Sequence, residues 1–146
     1  MVLSKDLYKM QWATDLSALA NQARFGLKYF VKKKNSKQRS ELLNDGIRLC
    51  DILAKGTKVG QEKSVLPKEI GYLNAIKPLI EASVNLKEAS EDIDKVSRVL
   101  RSILENGKAN QEEITSADDF FVKMSKIYQG VAFSTLNYLV EEKVFY

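Results

Sequence analysis

The feature that most constrains the fold is an uninterrupted stripe of apolar residues between Tyr72 and Ile103. Its members alternate at spacings of three and four residues and fill both core positions of five consecutive heptads: Tyr72, Ala75, Leu79, Ala82, Leu86, Ala89, Ile93, Val96, Leu100 and Ile103. Sustained spacing of this kind is typical of helices that pack in a left-handed, coiled-coil-like manner. The stripe therefore predicts an all-α fold.

The same stripe predicts one long helix over residues 68–106, ended by Gly107 and about 58 Å long at 1.5 Å per residue. Pro78 lies inside this range, and an interior proline removes a hydrogen bond and kinks the helix axis. Because the heptad register continues across Pro78, we expect one kinked helix rather than two separate ones. Four side chains on the stripe should then be almost completely buried: Leu86, Ile93, Val96 and Leu100.

The first half of the chain predicts two helices. The first spans residues 4–34 and carries apolar residues at four-three spacing: Tyr8, Trp12, Leu16, Leu19, Ala23, Gly26 and Phe30. The second spans residues 36–55, with Gly56 as its C-cap and a loop over residues 57–66. Cys50 lies on the apolar face of this helix, where it is expected to serve as a small buried hydrophobic residue.

The end of the chain predicts a last helix with two alternative N-caps. Asn110, with Glu113 three residues later, forms a capping-box pattern, and Ser116 is the alternative. The helix should end near Glu142 and leave residues 144–146 as an apolar tail. Its apolar stripe is Phe120, Met124, Ile127 and Val131, with Phe121, Tyr128, Thr135 and Leu139 alongside. The chain as a whole predicts a single domain, an antiparallel bundle of about four helices with one long, Pro-kinked third helix.

The residue types that are missing exclude several classes of active site. The chain has no histidine and one cysteine, so Ser-His and Cys-His nucleophile pairs, histidine metal ligands and thiolate zinc sites are excluded. We predict a non-enzymatic helical protein–protein interaction or assembly module, such as a small subunit of a larger complex, without a cofactor or metal. A long third helix would extend beyond its neighbours, so its apolar stripe would be covered by self-association or by a partner helix in a groove.

Positive charge is concentrated in the first half of the chain. Residues 1–66 carry a net charge of +7 and residues 67–146 a net charge of −3. Seven basic residues fall within 16 positions without an acidic one: Arg24, Lys28, Lys32, Lys33, Lys34, Lys37 and Arg39. Such a stretch can bind nucleic-acid phosphates or an acidic protein, or it can be a solvated helix end. Phe25 and Tyr29 are available for stacking, because Phe30 joins the predicted core. A nucleic-acid-backbone-binding accessory protein is therefore the alternative function.

Two acidic clusters motivate a remote alternative, a magnesium-dependent all-α phosphohydrolase, because magnesium prefers carboxylate oxygens. The clusters consist of Glu88, Glu91, Asp92 and Asp94, and of Glu112, Glu113, Asp118 and Asp119. In the heptad register the first cluster points to solvent, whereas the ligands of a catalytic metal face a cleft. Capping of the last helix accounts for the second cluster. We therefore predict no metal site.

The longest segment without a charged residue is residues 127–140, which is 14 residues. A membrane-spanning helix needs about 18–20 apolar residues. The N-terminal segment lacks the apolar region of a secretory signal, and a lone cysteine fits a reducing compartment. We expect a cytoplasmic protein without a membrane segment.

Overall fold

The computed structural model describes the backbone of residues 2–34, 36–61 and 66–141, and side chains from residue 5 onward. These ranges contain five α-helices and one 3₁₀ turn: α1 (Val2–Val31), α2 (Ser36–Gly60), the 3₁₀ turn Pro67–Glu69, α3 (Ile70–Glu81), α4 (Leu86–Asn106) and α5 (Gln111–Glu141). No strand occurs in the described ranges, which confirms the predicted all-α class.

Four of the helices form the body of the bundle. α1 packs along α2 and α5, and α4 packs along the same two helices. Near the end of α1, Gly26 lies against Leu43 of α2. Further along α2, Gly46 lies against Ala23, so α1 and α2 run antiparallel. α1 and α5 are antiparallel as well.

The prediction of one long third helix is wrong, because the apolar stripe from Tyr72 to Ile103 is divided between α3 and α4. Pro78, where we expected a kink, lies buried inside α3, and the helix ends three residues after it. Ala82 is exposed, and Leu86 is only half-buried. The other three side chains expected in the core are buried: Ile93, Val96 and Leu100.

Local hydrogen bonds explain where this break falls. Ser83 has a φ of +60°, and the N–H of Val84 donates to the carbonyl oxygen of Leu79 at 2.9 Å, so α3 closes with a left-handed C-cap. The side chain of Asn85 then accepts hydrogen bonds from two backbone N–H groups in the first turn of α4. Apolar periodicity reports which helix face is buried, but it does not report whether the axis continues. Both α3 and α4 pack against α2.

α2 is longer than predicted, and Gly56 is not its C-cap. The helix continues to Gly60, and of the predicted loop, residues 62–65 lie outside the described residues. Gly56 is inside the helix because α3 passes there: a Cβ at this position would lie 2.7 Å from the carbonyl oxygen of Tyr72. This glycine therefore permits a close approach between α2 and α3.

α5 begins at the first of the two expected caps. The Asn110 side chain accepts a hydrogen bond from the Glu113 N–H at 2.8 Å, and the Asn110 N–H donates to Glu113 Oε1 at 2.9 Å. This reciprocal pair confirms the capping box. The expected end at Glu142 and the tail over residues 144–146 lie outside the described residues.

The buried face of α5 is centred on the residues beside the predicted stripe rather than on the stripe itself. The four residues expected alongside the stripe are all buried, together with Ile114, Ala117, Met124 and Ser125: Phe121, Tyr128, Thr135 and Leu139. Phe120, Ile127 and Val131 of the predicted stripe are only half-buried. On α1, Tyr8 is exposed rather than part of the core. Part of the apolar surface expected inside the bundle therefore lies at its surface.

Candidate interaction surfaces

The basic stretch lies at the end of α1, in the connection to α2 and at the start of α2, and the structure divides it into two groups. The two arginines have partners. Arg24 Nε donates to Asp118 Oδ1 of α5 at 2.9 Å, so an acidic residue distant in the sequence offsets this charge. The guanidinium of Arg39, which is half-buried, lies over the Phe30 ring at 5.7 Å from its centroid.

The five lysines of the stretch are exposed, and we call them the lysine tip: Lys28, Lys32, Lys33, Lys34 and Lys37. The chain turns sharply after α1, because Lys33 has a φ of +54° and the Lys34 N–H donates to the Tyr29 carbonyl oxygen at 2.9 Å. This closure places the three consecutive lysines at one end of the bundle. Residue 35 lies outside the described residues.

Phe25 is the aromatic residue most accessible in this region. Its side chain is 52% exposed, and Lys28 Nζ lies 5.6 Å from the ring centroid. Tyr29 and Phe30 are half-buried, and Phe30 packs against the core. Of the two rings that the sequence leaves available for stacking, Phe25 therefore offers the larger surface.

The acidic residues have different surroundings in the fold. Glu113 belongs to the cap of α5 and Asp118 to the ion pair with Arg24. Glu88 and Asp92 are exposed, as the heptad register predicts, yet they also line a groove beside α5. Within the described part of the chain, no three acidic or cysteine side chains are grouped so that they could hold a metal ion.

A groove of about 760 Å³, the α4–α5 groove, separates α4 from α5. Its floor consists of apolar side chains from both helices: Val96, Phe120, Met124 and Ile127. It joins a depression of about 630 Å³ beside the end of α3, and the two share Ala82, Lys126 and Ile127. Together they follow α5 from Ser116 to Tyr138, which is about 33 Å along the helix.

The walls of this groove carry opposite charges. The exposed charges come in pairs: Glu88 and Asp92 on α4, Lys123 and Lys126 on α5. Each wall also carries one residue of the opposite sign, Lys95 on α4 and Asp119 on α5. None of these side chains forms an ion pair within the described residues.

Side-chain size explains why the groove lies on this side of the bundle. α1 buries small residues against its neighbours: Ala13, Ser17, Ala20 and Ala23. Small residues allow helix axes to approach, and α5 packs along α1 much more extensively than along α4. Between α4 and α5, the groove is lined by larger side chains such as Phe120 and Met124. Sequence reasoning missed Lys123 and Lys126, although both flank the predicted stripe of the last helix.

A second apolar surface occupies the C-terminal part of α5. Phe133, Leu136 and Val140 are spaced by three and four residues, and they are 61%, 37% and 42% exposed. That spacing places them on one helix face. Contiguous exposed apolar residues are more typical of contact surfaces than scattered ones. α5 thus contributes to two apolar surfaces.

Cys50 is buried, as the sequence predicts, with 1% of its surface exposed. Burial, together with the neighbouring carboxylate of Asp51, raises the pKa of the Cys50 thiol to about 12. The thiol is therefore protonated at neutral pH, and it serves as a core residue.

None of the helices, over the residues described, combines the length and apolar composition required to cross a membrane. Comparison of the chain with known protein families, with curated proteins and with solved structures found no match in any of the three.

Proposed function

We propose that the protein is a non-enzymatic interaction module that binds an amphipathic helix of a partner protein in the α4–α5 groove. The observation that carries this proposal is the combination of an apolar floor with oppositely charged walls. Recognition of a helix in a groove uses an apolar face at the floor and polar flanks at the rims.

The floor supports binding through the hydrophobic effect. Phe120 and Ile127 retain solvent exposure, whereas their neighbours Phe121 and Tyr128 are completely buried. A helix laid along α5 would cover both residues and remove their apolar surface from water. The groove and the adjoining depression together accommodate a helix of about 22 residues.

The walls define the chemistry of the partner. Glu88 and Asp92 on α4 favour basic residues along one flank of the bound helix. Lys123 and Lys126 on α5 favour acidic residues along the other flank. Charge complementarity of this kind sets orientation and specificity more than affinity. The partner is therefore an amphipathic helix with one basic and one acidic edge.

A designed helical peptide with these features tests the proposal. The peptide carries leucines on one face, arginines along one edge and glutamates along the other, and its binding is followed by fluorescence anisotropy. The double variant Asp92→Lys, Lys123→Glu reverses both walls while leaving the net charge unchanged. We expect it to weaken binding roughly 10- to 30-fold, because the net charge of each wall changes sign.

A peptide with its charged edges exchanged should bind the variant and restore the affinity. The matched control is Glu91→Lys with Lys87→Glu, two exposed residues of α4 that do not line the groove, and it should leave binding unchanged. Equal loss in the control would overturn the proposal. The proposal would also be overturned if sedimentation velocity showed a stable dimer that the groove variant dissociates. The occupant of the groove would then be a second copy of this chain.

A further inference from the structure

We infer that the lysine tip and Phe25 together form a binding site for single-stranded nucleic acid, a function independent of the α4–α5 groove. The site lies at the other end of the bundle from α3, on the outer face of α1 and the connection to α2. It combines the two elements that single-strand binding requires, a positively charged track and an aromatic surface on which a base can stack.

The positive charge of the lysine tip is available to a ligand. The ion pairs within the described residues all involve arginine, so none of the five ammonium groups is held by a carboxylate. Lys28 lies in the last turn of α1, and Lys32 follows directly after the helix, with its N–H donating to the Lys28 carbonyl oxygen at 2.9 Å. Lys33 and Lys34 continue the track into the turn. Phosphates that follow this path would each displace counterions, which gives salt-dependent affinity.

Phe25 distinguishes a single strand from other polyanions. Its ring is half exposed and lies next to Lys28, so a base stacked on Phe25 would place its phosphate beside an ammonium group. A duplex keeps its bases stacked on one another, so it cannot place a base on the ring at the edge of the lysine tip. A single strand uses both the ring and the charges.

The start of α5 limits the direction of the strand. A shallow cleft of about 220 Å³ lies between α1 and α5, and both Lys28 and Lys32 line it together with Gln111 and Thr115. Asp118 also lines this cleft and is paired with Arg24. The Arg24–Asp118 pair adds no net charge at that end of the cleft, so the positive track for a strand runs from Lys28 towards the turn.

Fluorescence anisotropy with a labelled thymidine oligonucleotide of about 15 nucleotides tests the site, with a uridine oligonucleotide and a duplex as further probes. We expect tighter binding of both single strands than of the duplex. For single strands each phosphate contact contributes about −0.7 to the slope of log affinity against log salt, so four or five contacts give a slope near −3.

Two variants separate charge from stacking. Lys32→Ala, Lys33→Ala and Lys34→Ala together should reduce the salt slope by about 2 in absolute value. The matched control changes three exposed lysines outside this surface, Lys5, Lys58 and Lys77, to alanine and should leave the slope unchanged. Phe25→Ala should weaken single-strand binding about 5- to 100-fold without changing the salt slope. Phe25→Trp, which keeps an aromatic ring, should bind single strands as tightly as the parent.

Several results would overturn the inference. One is the absence of binding at low salt and micromolar protein, and another is an equal loss of affinity in the control triple variant. A Phe25→Ala protein that binds single strands as tightly as the parent would exclude the stacking role. A polyglutamate peptide that binds as tightly as the oligonucleotide would identify the surface as a site for acidic protein instead.

Discussion

Replacing Gly46 with alanine should destabilise the protein, although alanine is the better helix former. Gly46 lies where the other three bundle helices approach α2. A Cβ at this position would lie 2.7 Å from Ala23 Cβ, 2.9 Å from Leu100 Cδ1 and 3.3 Å from Phe121 Cζ. The Leu100 methyl group can rotate away. Ala23 Cβ is attached to the backbone of α1, so α1 and α2 must move apart.

Two effects of opposite sign determine the magnitude. Within a helix, alanine is more favourable than glycine by about 1 kcal/mol. Overpacking a core costs about 1–3 kcal/mol and occasionally more. Because one of the clashing atoms at Gly46 cannot move without its helix, the cost should lie at or above the upper part of that range. We expect the free energy of unfolding to fall by about 1–3 kcal/mol.

Gly130→Ala is the matched control, because it makes the same chemical change in a helix at a position with open space. No atom outside the local helix backbone lies within 4 Å of a Cβ at Gly130, so only the helix propensity acts and the free energy of unfolding should rise by about 0.5–1 kcal/mol. Urea denaturation followed by far-UV circular dichroism measures both changes. With a slope of about 1–3 kcal/mol per molar urea, the midpoints of the two variants should differ by about 0.5 M or more. A Gly46→Ala protein at least as stable as the parent would refute the packing argument.

Two further predictions concern single residues. Ser83→Gly should raise the free energy of unfolding by about 0.5–1 kcal/mol, because the φ of +60° at Ser83 is strained for any residue with a Cβ. A thermal melting temperature equal to or below that of the parent would contradict this. Folding raises the pKa of the Cys50 thiol to about 12, whereas the thiol of the unfolded chain titrates near pH 9. As the pH rises, the unfolded chain therefore loses this proton first. Between pH 9 and pH 12, Cys50 should lower the free energy of unfolding by up to about 1.4 kcal/mol per pH unit. Urea denaturation at several pH values should show that the free energy of unfolding falls less with pH in Cys50→Ala than in the parent. Burial also raises the pKa of Tyr128, but this residue contributes equally in both proteins. An identical fall in both would exclude the thiol as the cause.

Most signals that depend on a few neighbouring residues predicted the structure well, with the expected C-cap at Gly56 as an exception. The Asn110–Glu113 capping box and the left-handed Gly107 at the end of α4 follow from hydrogen bonds and backbone preferences within one turn. The burial of Cys50 follows from the apolar face of α2. Predictions that extended local signals over a longer distance failed. The stripe from Tyr72 to Ile103 is buried over much of its length, but it belongs to two helices.

The sequence by itself determined the all-α class, most of the helix faces and the concentration of lysines near the end of α1, because periodicity and charge order along the chain specify them directly. Only the tertiary structure decided that α3 crosses α2 at Gly56, that Arg24 is paired with Asp118, and that α4 and α5 stand apart to form a groove. These features depend on distances between segments that are remote in sequence. Those distances are set by the side-chain volumes of several helices packed together, so they cannot be predicted from the sequence of any one helix.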